Sequence, residues 1–227
     1  MVDIKINFLK IFQTLNKIDE KTKNLCTKNL NIIKKEDGSS CTDFDILSDE
    51  ILNKNLPKYL LLKKKKKKIY YFSEESIKCY NERKNWEYYW SIDPLDGTSS
   101  YIKKKSLYSI NIALIHKNIP ILGFIYIPYY KFLVYNDLKK TYFVDEFPEN
   151  IKNLNVINKI EDDEFITFII KEYYGKNFKK ADEFDISALD SILISLGHKI
   201  LYKNNKKCLY NRKNYNYKNL WIKYAKN

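Results

Sequence analysis

The chain has 227 residues, 44% of them hydrophobic, so it can bury a sizeable core and wholesale disorder is excluded. Only 5 Gly and 5 Pro exclude collagen-like and low-complexity classes, and no apolar run approaches the roughly 18 residues of a membrane-spanning helix. The 41 Lys and Arg against 28 Asp and Glu leave a formal charge of +13, which suits an anionic partner but also fits a compositional bias running along the whole chain.

Ile4, Phe8, Leu9, Ile11, Phe12, Leu15 and Ile18 predict an amphipathic helix over residues 3–18. The opening residues carry an Asp and no small-residue cleavage site, so no signal peptide is read there. Asp37-Gly38-Ser39-Ser40 is a turn cluster. Thr42 then opens a second helix with Ile46, Leu47, Ile51 and Leu52 as its apolar face and Pro57 beyond its end. The basic run Lys63–Lys68 repels itself and belongs in a solvated loop. Residues 69–72 and 88–92 are short strands, the second stopped by Asp93-Pro94. Residues 108–115 and 121–127 form a hairpin about Lys117-Asn118, and residues 131–135 and 141–144 a second about Asn136-Asp137.

From Phe147 to Glu164 the pattern is polar, and residues 165–170 are a candidate strand. Residues 186–196 form a helix capped by Gly197, and residues 199–202 and 219–224 are closing strands. Helices and strands mix without strict alternation, which predicts an α+β fold. Cys26, Cys41, Cys79 and Cys208 form no CxxC pair, so neither zinc site nor disulfide framework is expected, and a reduced cytoplasmic compartment follows. No nucleic-acid-binding motif accompanies the charge, so no specific nucleic-acid partner is expected; peripheral contact with the cytoplasmic face of the inner membrane is compatible with it.

The sharpest local feature is Trp90-Ser91-Ile92-Asp93-Pro94-Leu95-Asp96-Gly97-Thr98. A strand ends there, Pro94 holds Asp93 extended, and Gly97 permits a sharp turn. Two carboxylates converging at a strand end are hard oxygen ligands suited to Mg²⁺, and the Gly97 and Thr98 amides can hold an anion. The same residues also make an ordinary surface turn. Glu74 stands at another strand end. Asp45 follows Thr42 by three residues, as in a capping box that turns its carboxylate back toward the helix start. Asp185 precedes a helix and reads alone as an N-cap.

Taken in order, Asp37…Cys41-Thr42-x-x-Asp45, Ser73-Glu74-Glu75, Asp93-Pro94-Leu95-Asp96-Gly97-Thr98 and Phe184-Asp185 resemble the lithium-sensitive, Mg²⁺-dependent phosphatases of the inositol monophosphatase superfamily. The run on to Tyr101-Ile102-Lys103, Asn111–Ile115 and Pro120–Gly123 is most similar to its 3′(2′),5′-bisphosphate nucleotidase branch of the CysQ type. The likeness spans about Lys35 to Val144 and thins beyond Glu146. It implies a layered α/β/α/β/α sandwich. Residues 1–146 would carry most of the metal and phosphate site, and a shortened half, residues 147–227, would contribute Asp185.

By resemblance, Glu74, Asp93, the Leu95 carbonyl, Asp96 and Asp185 hold two or three Mg²⁺ ions, with lithium as an inhibitor. Glu74, Leu95, Asp96, Gly97, Thr98 and Asp185 line the substrate. Asp45 and Thr98 activate water, with Glu74 also in the catalytic set. The implied reaction removes the 3′-phosphate of adenosine 3′,5′-bisphosphate, the nucleotide by-product of sulfate activation, by a monomer or homodimer. The alternatives are an inositol-phosphate phosphatase and a non-catalytic anion-binding homologue. The family's Trp before the distal Asp is Phe184 here, with Ile186-Ser187-Ala188 where small residues normally pack tightly. No glycine-serine segment for sugar and base contact is present in the shortened half, which predicts weaker adenosine selectivity.

Overall fold

The computed structural model describes residues 4–23, 25, 30–62, 68–148, 155–157, 177–202 and 205–223. Its elements are β1 (Ile4–Ile6), α1 (Phe8–Thr22), β2 (Ile32–Lys34), β3 (Ser40–Thr42), α2 (Asp43–Asn55), β4 (Leu60–Leu62), β5 (Tyr70–Ser73), α3 (Tyr80–Arg83), β6 (Tyr88–Asp96) and α4 (Thr98–Ile102). Then follow β7 (Ser109–His116), β8 (Ile119–Ile127), β9 (Phe132–Asn136), β10 (Thr141–Val144), β11 (Asn155–Ile157), β12 (Asn177–Asp182), α5 (Glu183–Ser195), β13 (Lys199–Tyr202), β14 (Lys206–Lys207) and β15 (Asn216–Lys223).

The main sheet runs β11-β10-β9-β8-β7-β6-β5, antiparallel except for the parallel pair β5–β6. Its hairpin turn at Lys117-Asn118 has φ of 49° and 65°, the paired left-handed geometry of a tight two-residue loop. Trp90, Ile92, Ile110, Ile112, Leu114, Phe124 and Tyr126 point to one face and pack under α1 and α2. Tyr89, Ala113, Ile115, Ile125 and Ile127 point to the other and pack against α5 and the second sheet, β12-β15-β13-β14. Both faces of the central strands are therefore buried, which is why they read as near-continuous apolar runs rather than alternating ones. The described residues form helix, sheet, helix and sheet layers; a fifth, outer helical layer is not among them.

Several boundaries differ from expectation for local reasons. The first helix starts at Phe8 rather than residue 3, because Asn7 caps it by accepting from the Lys10 amide at 3.1 Å, while Ile4–Ile6 pair with β4. On α2 the buried face is Phe44, Asp45, Ser48, Asp49, Ile51 and Leu52, whereas Ile46 is exposed. Of the polar groups turned inward there, Asp45 meets Thr98, while Asp49 accepts from the Tyr71 hydroxyl at 2.8 Å and the Ser76 hydroxyl at 2.6 Å. Strand β6 does not stop at Asp93-Pro94 but continues to Asp96 through an irregularity. The last helix begins at Glu183 with Asp182 as its N-cap, so Asp185 is its third residue and not its cap. The polar stretch after Phe147 includes β11, paired with β10. The expected strand at 165–170 and Lys63–Lys67 lie outside the described residues.

Candidate active site

The parallel register of β5 and β6 sets Ser73 opposite Ile92, and the Glu74 amide extends the ladder by donating to the Ile92 carbonyl at 3.2 Å. Glu74, just past the end of β5, and Asp93, within β6, therefore stand side by side on neighbouring strands. Asp93 shares the parity of Tyr89 and Ser91, which face α5, and that helix brings Asp185 down onto it. Ligand oxygens of Glu74, Asp93 and Asp185 all lie within 4.8 Å of one another.

Asp96 joins them through a bulge. In an unbroken strand, residues three apart point to opposite faces. Here Asp93 pairs with Asn111 but Asp96 pairs with Ser109, so one extra residue stands in β6 and the phase is restored. Asn111 Nδ2 donates to Asp96 Oδ2 at 3.0 Å and lies 3.4 Å from the Asp185 carbonyl, tying strand, bulge and helix together. Asn111 was not singled out for a role from sequence; a polar residue inside the apolar run Ile110–Ile115 was the available signal.

Asp45 and Thr98 meet as expected. The Thr42–Asp45 capping box fixes Asp45 Oδ2, which accepts from the Thr42 amide at 2.7 Å and its hydroxyl at 2.5 Å. Oδ1 remains for Thr98, whose hydroxyl lies 3.1 Å away and 3.0 Å from the Leu95 carbonyl. Gly97 has φ of 85°, a left-handed conformation that turns β6 into α4.

The centre is electrostatically strained. Burial pushes Asp93 well above the ordinary carboxylate range, and the charges of Glu74, Asp96 and Asp185 push it further. Burial and Asp96 do the same to Asp185, and burial raises Asp45. Glu74 is raised by burial, against the opposing pull of Lys35. Lys35 Nζ bonds Glu74 at 3.0 Å and Glu75 at 2.6 Å. Among 41 basic residues nothing in the sequence marks that lysine. A second group, Cys41, Asp45 and Glu75, also has ligand atoms within 4.8 Å. Burial pushes the Cys41 thiol up to about 12, so it is neutral at pH 7 and not a ready thiolate ligand.

The packing behind Asp185 is tight in spite of the changed residues. A Cβ on Gly123 of β8 would strike the Ala188 backbone carbonyl of α5. Ser187 and Ser91 hydroxyls meet at 3.2 Å, and Phe184 is fully buried with its ring 4.9 Å from Phe72.

The model of the inositol monophosphatase family matches residues 6–168. The chain belongs to the inositol monophosphatase family. Among curated relatives, the 3′(2′),5′-bisphosphate nucleotidase CysQ of Buchnera aphidicola subsp. Acyrthosiphon pisum is 35% identical over 106 residues, 47% of this chain and 38% of that protein. That match spans less than half the relative's own length. Among solved structures, CysQ of Bacteroides thetaiotaomicron superposes with a TM-score of 0.63 at 18% identity, covering 96% of this chain and 94% of that one. An inositol monophosphatase/NADP phosphatase solved with Mg²⁺ and phosphate gives 0.63 at 14% identity, covering 93% and 88%. These structures share the fold. No helix among the described residues is long and apolar enough to cross a membrane.

Proposed function

We propose that this chain is a Mg²⁺-dependent phosphatase that removes the 3′-phosphate of adenosine 3′,5′-bisphosphate, releasing AMP and inorganic phosphate. The observation that carries the reading is the convergence of Glu74, Asp93 and Asp185, joined by Asp96, beside the Asp45–Thr98 pair.

The donor set fits magnesium. It consists of hard carboxylate oxygens plus the Leu95 carbonyl; burial first and mutual repulsion second raise the proton affinity of Asp93 and Asp185, and a bound cation would offset both costs. Glu74, Asp93, Leu95, Asp96 and Asp185 are assigned to hold the ions. When bound, Mg²⁺ supplies charge neutralisation for the phosphoryl oxygens and lowers the pKa of water. The chain's own groups do the rest. Gly97 and Thr98 offer amides to the phosphate. Thr98 Oγ1 orients the attacking water and Asp45 takes its proton. Attack at phosphorus breaks the bond to the ribose oxygen, which takes a proton from solvent water as it leaves, while Asp45 returns its proton to solvent.

In this reading residues 1–146 furnish most of the site and residues 147–227 add Asp185. Lithium inhibition, a monomeric or homodimeric state and a cytoplasmic location belong to the same proposal. The test is phosphate release from adenosine bisphosphates and inositol phosphates, with and without Mg²⁺. Activity with none of them would overturn it, and faster turnover of inositol 1-phosphate would move the substrate to the inositol class.

A further inference from the structure

Glu183 is fully buried on the first turn of α5, two residues before Asp185, and belongs neither to the proposed ligand carboxylates nor to the water-activating pair. A carboxylate taken out of water is costly unless its oxygens are hydrogen-bonded. Both oxygens of Glu183 are engaged by one turn of main chain. Oε2 accepts from the Asn211 amide at 2.8 Å and Oε1 from the Arg212 amide at 2.9 Å.

That turn is gripped from a second side. Arg83 of α3, also buried, donates through Nη1 to Asn211 Oδ1 at 2.9 Å and through Nη2 to the Arg212 carbonyl at 2.6 Å. Asn211 Nδ2 donates back to the Arg83 carbonyl at 2.7 Å. The Arg83 guanidinium carbon lies 4.6 Å from the centre of the Phe72 ring on β5, and Phe72 packs on Phe184, the neighbour of Glu183. A closed circuit therefore runs from β5 through Arg83, the Asn211-Arg212 turn and Glu183 to α5, and back through Phe184 to β5. Glu74 stands two residues beyond Phe72, and Asp185 one residue beyond Phe184. The circuit thus joins the two elements that bring ligand oxygens of Glu74 and Asp185 within 4.8 Å of each other. Two carboxylates that close repel, so the surrounding structure must hold them together before a cation arrives.

We infer that Glu183 is a positioning residue: by clamping the Asn211-Arg212 turn it fixes Asp185 relative to Glu74, so that the pair is set for a divalent cation before one binds. The inference rests on the metal assignment of the proposed function and adds what holds the distal ligand in place.

The test is calorimetric binding of Mg²⁺ at about pH 8, where Glu183 is ionised. Glu183→Gln has the same shape but turns an NH₂ group toward one of the two backbone amides. Asp190→Asn is the control. It alters another buried carboxylate of α5, one that accepts from the Ile200 amide at 3.2 Å and the Tyr210 hydroxyl at 3.0 Å. The Mg²⁺ dissociation constant should rise about tenfold or more in Glu183→Gln, the usual loss when a group that orients a metal ligand is removed, and stay within about threefold of wild type in Asp190→Asn. Unchanged binding in Glu183→Gln overturns the inference. Equal weakening in both variants also overturns it, because Glu183 would then serve general stability. Melting curves show whether each variant folds. If Glu183→Gln does not, Glu183→Asp takes its place: it keeps both oxygens but is one methylene short, so weakened Mg²⁺ binding supports the clamp and wild-type binding overturns it. A wild type that binds no Mg²⁺ overturns the metal assignment and this inference together. One that binds Mg²⁺ but releases phosphate from no substrate overturns the phosphatase reading alone, and the binding comparison still decides the role of Glu183.

Discussion

The Thr98 hydroxyl sits between Asp45 Oδ1 at 3.1 Å and the Leu95 carbonyl at 3.0 Å, linking the proposed base on α2 to a proposed ligand on β6. A hydroxyl has one proton, so it donates to one of these oxygens while its lone pairs remain for water. Thr98→Ala deletes that relay and touches no carboxylate of the cluster. It should lower kcat by about 100-fold or more, the usual worth of positioned proton transfer. The Mg²⁺ concentration for half-maximal activity should stay within about threefold of wild type. An equal loss of Mg²⁺ affinity would show that Thr98 serves the metal site instead.

Asp93 lies in the middle of the repelling set, so its removal should have opposite effects on activity and stability. Asp93→Asn keeps an oxygen to accept from the Leu95 amide, now bonded to Asp93 at 3.0 Å, and deletes a buried charge. Without Mg²⁺ the variant should melt higher by a few degrees, since about 1 kcal/mol moves the melting point of a chain this size by about 2–4 °C. Turnover should be lost, along with most of the stabilisation Mg²⁺ gives the wild type. A variant that melts lower without metal would mean that Asp93 is satisfied by contacts rather than strained.

The N-terminal elements of this site were legible because their signals are local. Thr42 and Asp45 form a capping box by spacing alone, and Asp93-Pro94-Leu95-Asp96-Gly97 carries its strand end and turn in adjacent residues. The bulge that brings Asp96 onto the face of Asp93 was not legible, because it depends on register with Ser109 and Asn111. Taken alone Asp185 reads as an N-cap, and only the helix geometry shows that Asp182 holds that place, with Asp185 as the third residue of the first turn. The contacts of Lys35 with Glu74 and of Glu183 with the Asn211-Arg212 turn are tertiary. Their residues are far apart in the chain and compositionally ordinary. Short strands such as β1 and β4 escaped because three residues show no period.

The pH dependence of stability should run against the usual acid denaturation. Burial pushes Glu183 up to about 7 and Asp190 to about 6, and it also raises Glu74, Asp93 and Asp185. Unfolded carboxylates titrate near 4, so between about pH 4 and 7 the folded chain binds more protons than the unfolded one. Stability from these groups is present at the acidic end and lost as pH rises through the folded values. Metal-free protein should therefore melt lower at pH 7.5 than at pH 5.5. Mg²⁺ competes with protons for the cluster but not for Glu183 or Asp190, so it should stabilise more at pH 7.5. Thermal melts at both pH values with and without Mg²⁺ measure this; a metal-free melting point that rises with pH would refute it.

Gly123 tests whether the tight contact under α5 sets the position of Asp185. A Cβ there would meet the carbonyl oxygen, carbonyl carbon and Cα of Ala188, all backbone atoms, so no side-chain rotation relieves the clash. The helix must shift, and Asp185 rides on its first turn. Overpacking of this kind costs about 1–3 kcal/mol, or roughly 2–12 °C in melting point. Gly123→Ala should also raise the Mg²⁺ requirement at least tenfold, because one proposed ligand moves relative to Glu74 and Asp93. Gly38→Ala is the comparison. Its φ is 86° and no atom lies within 4 Å of an added Cβ, so the cost is local backbone strain of about 1–2 kcal/mol with no helix displaced. Melting and Mg²⁺ titration of both variants separate the two effects. If Gly123→Ala lowers the melting point but keeps the wild-type Mg²⁺ requirement, Asp185 does not depend on this contact for its place.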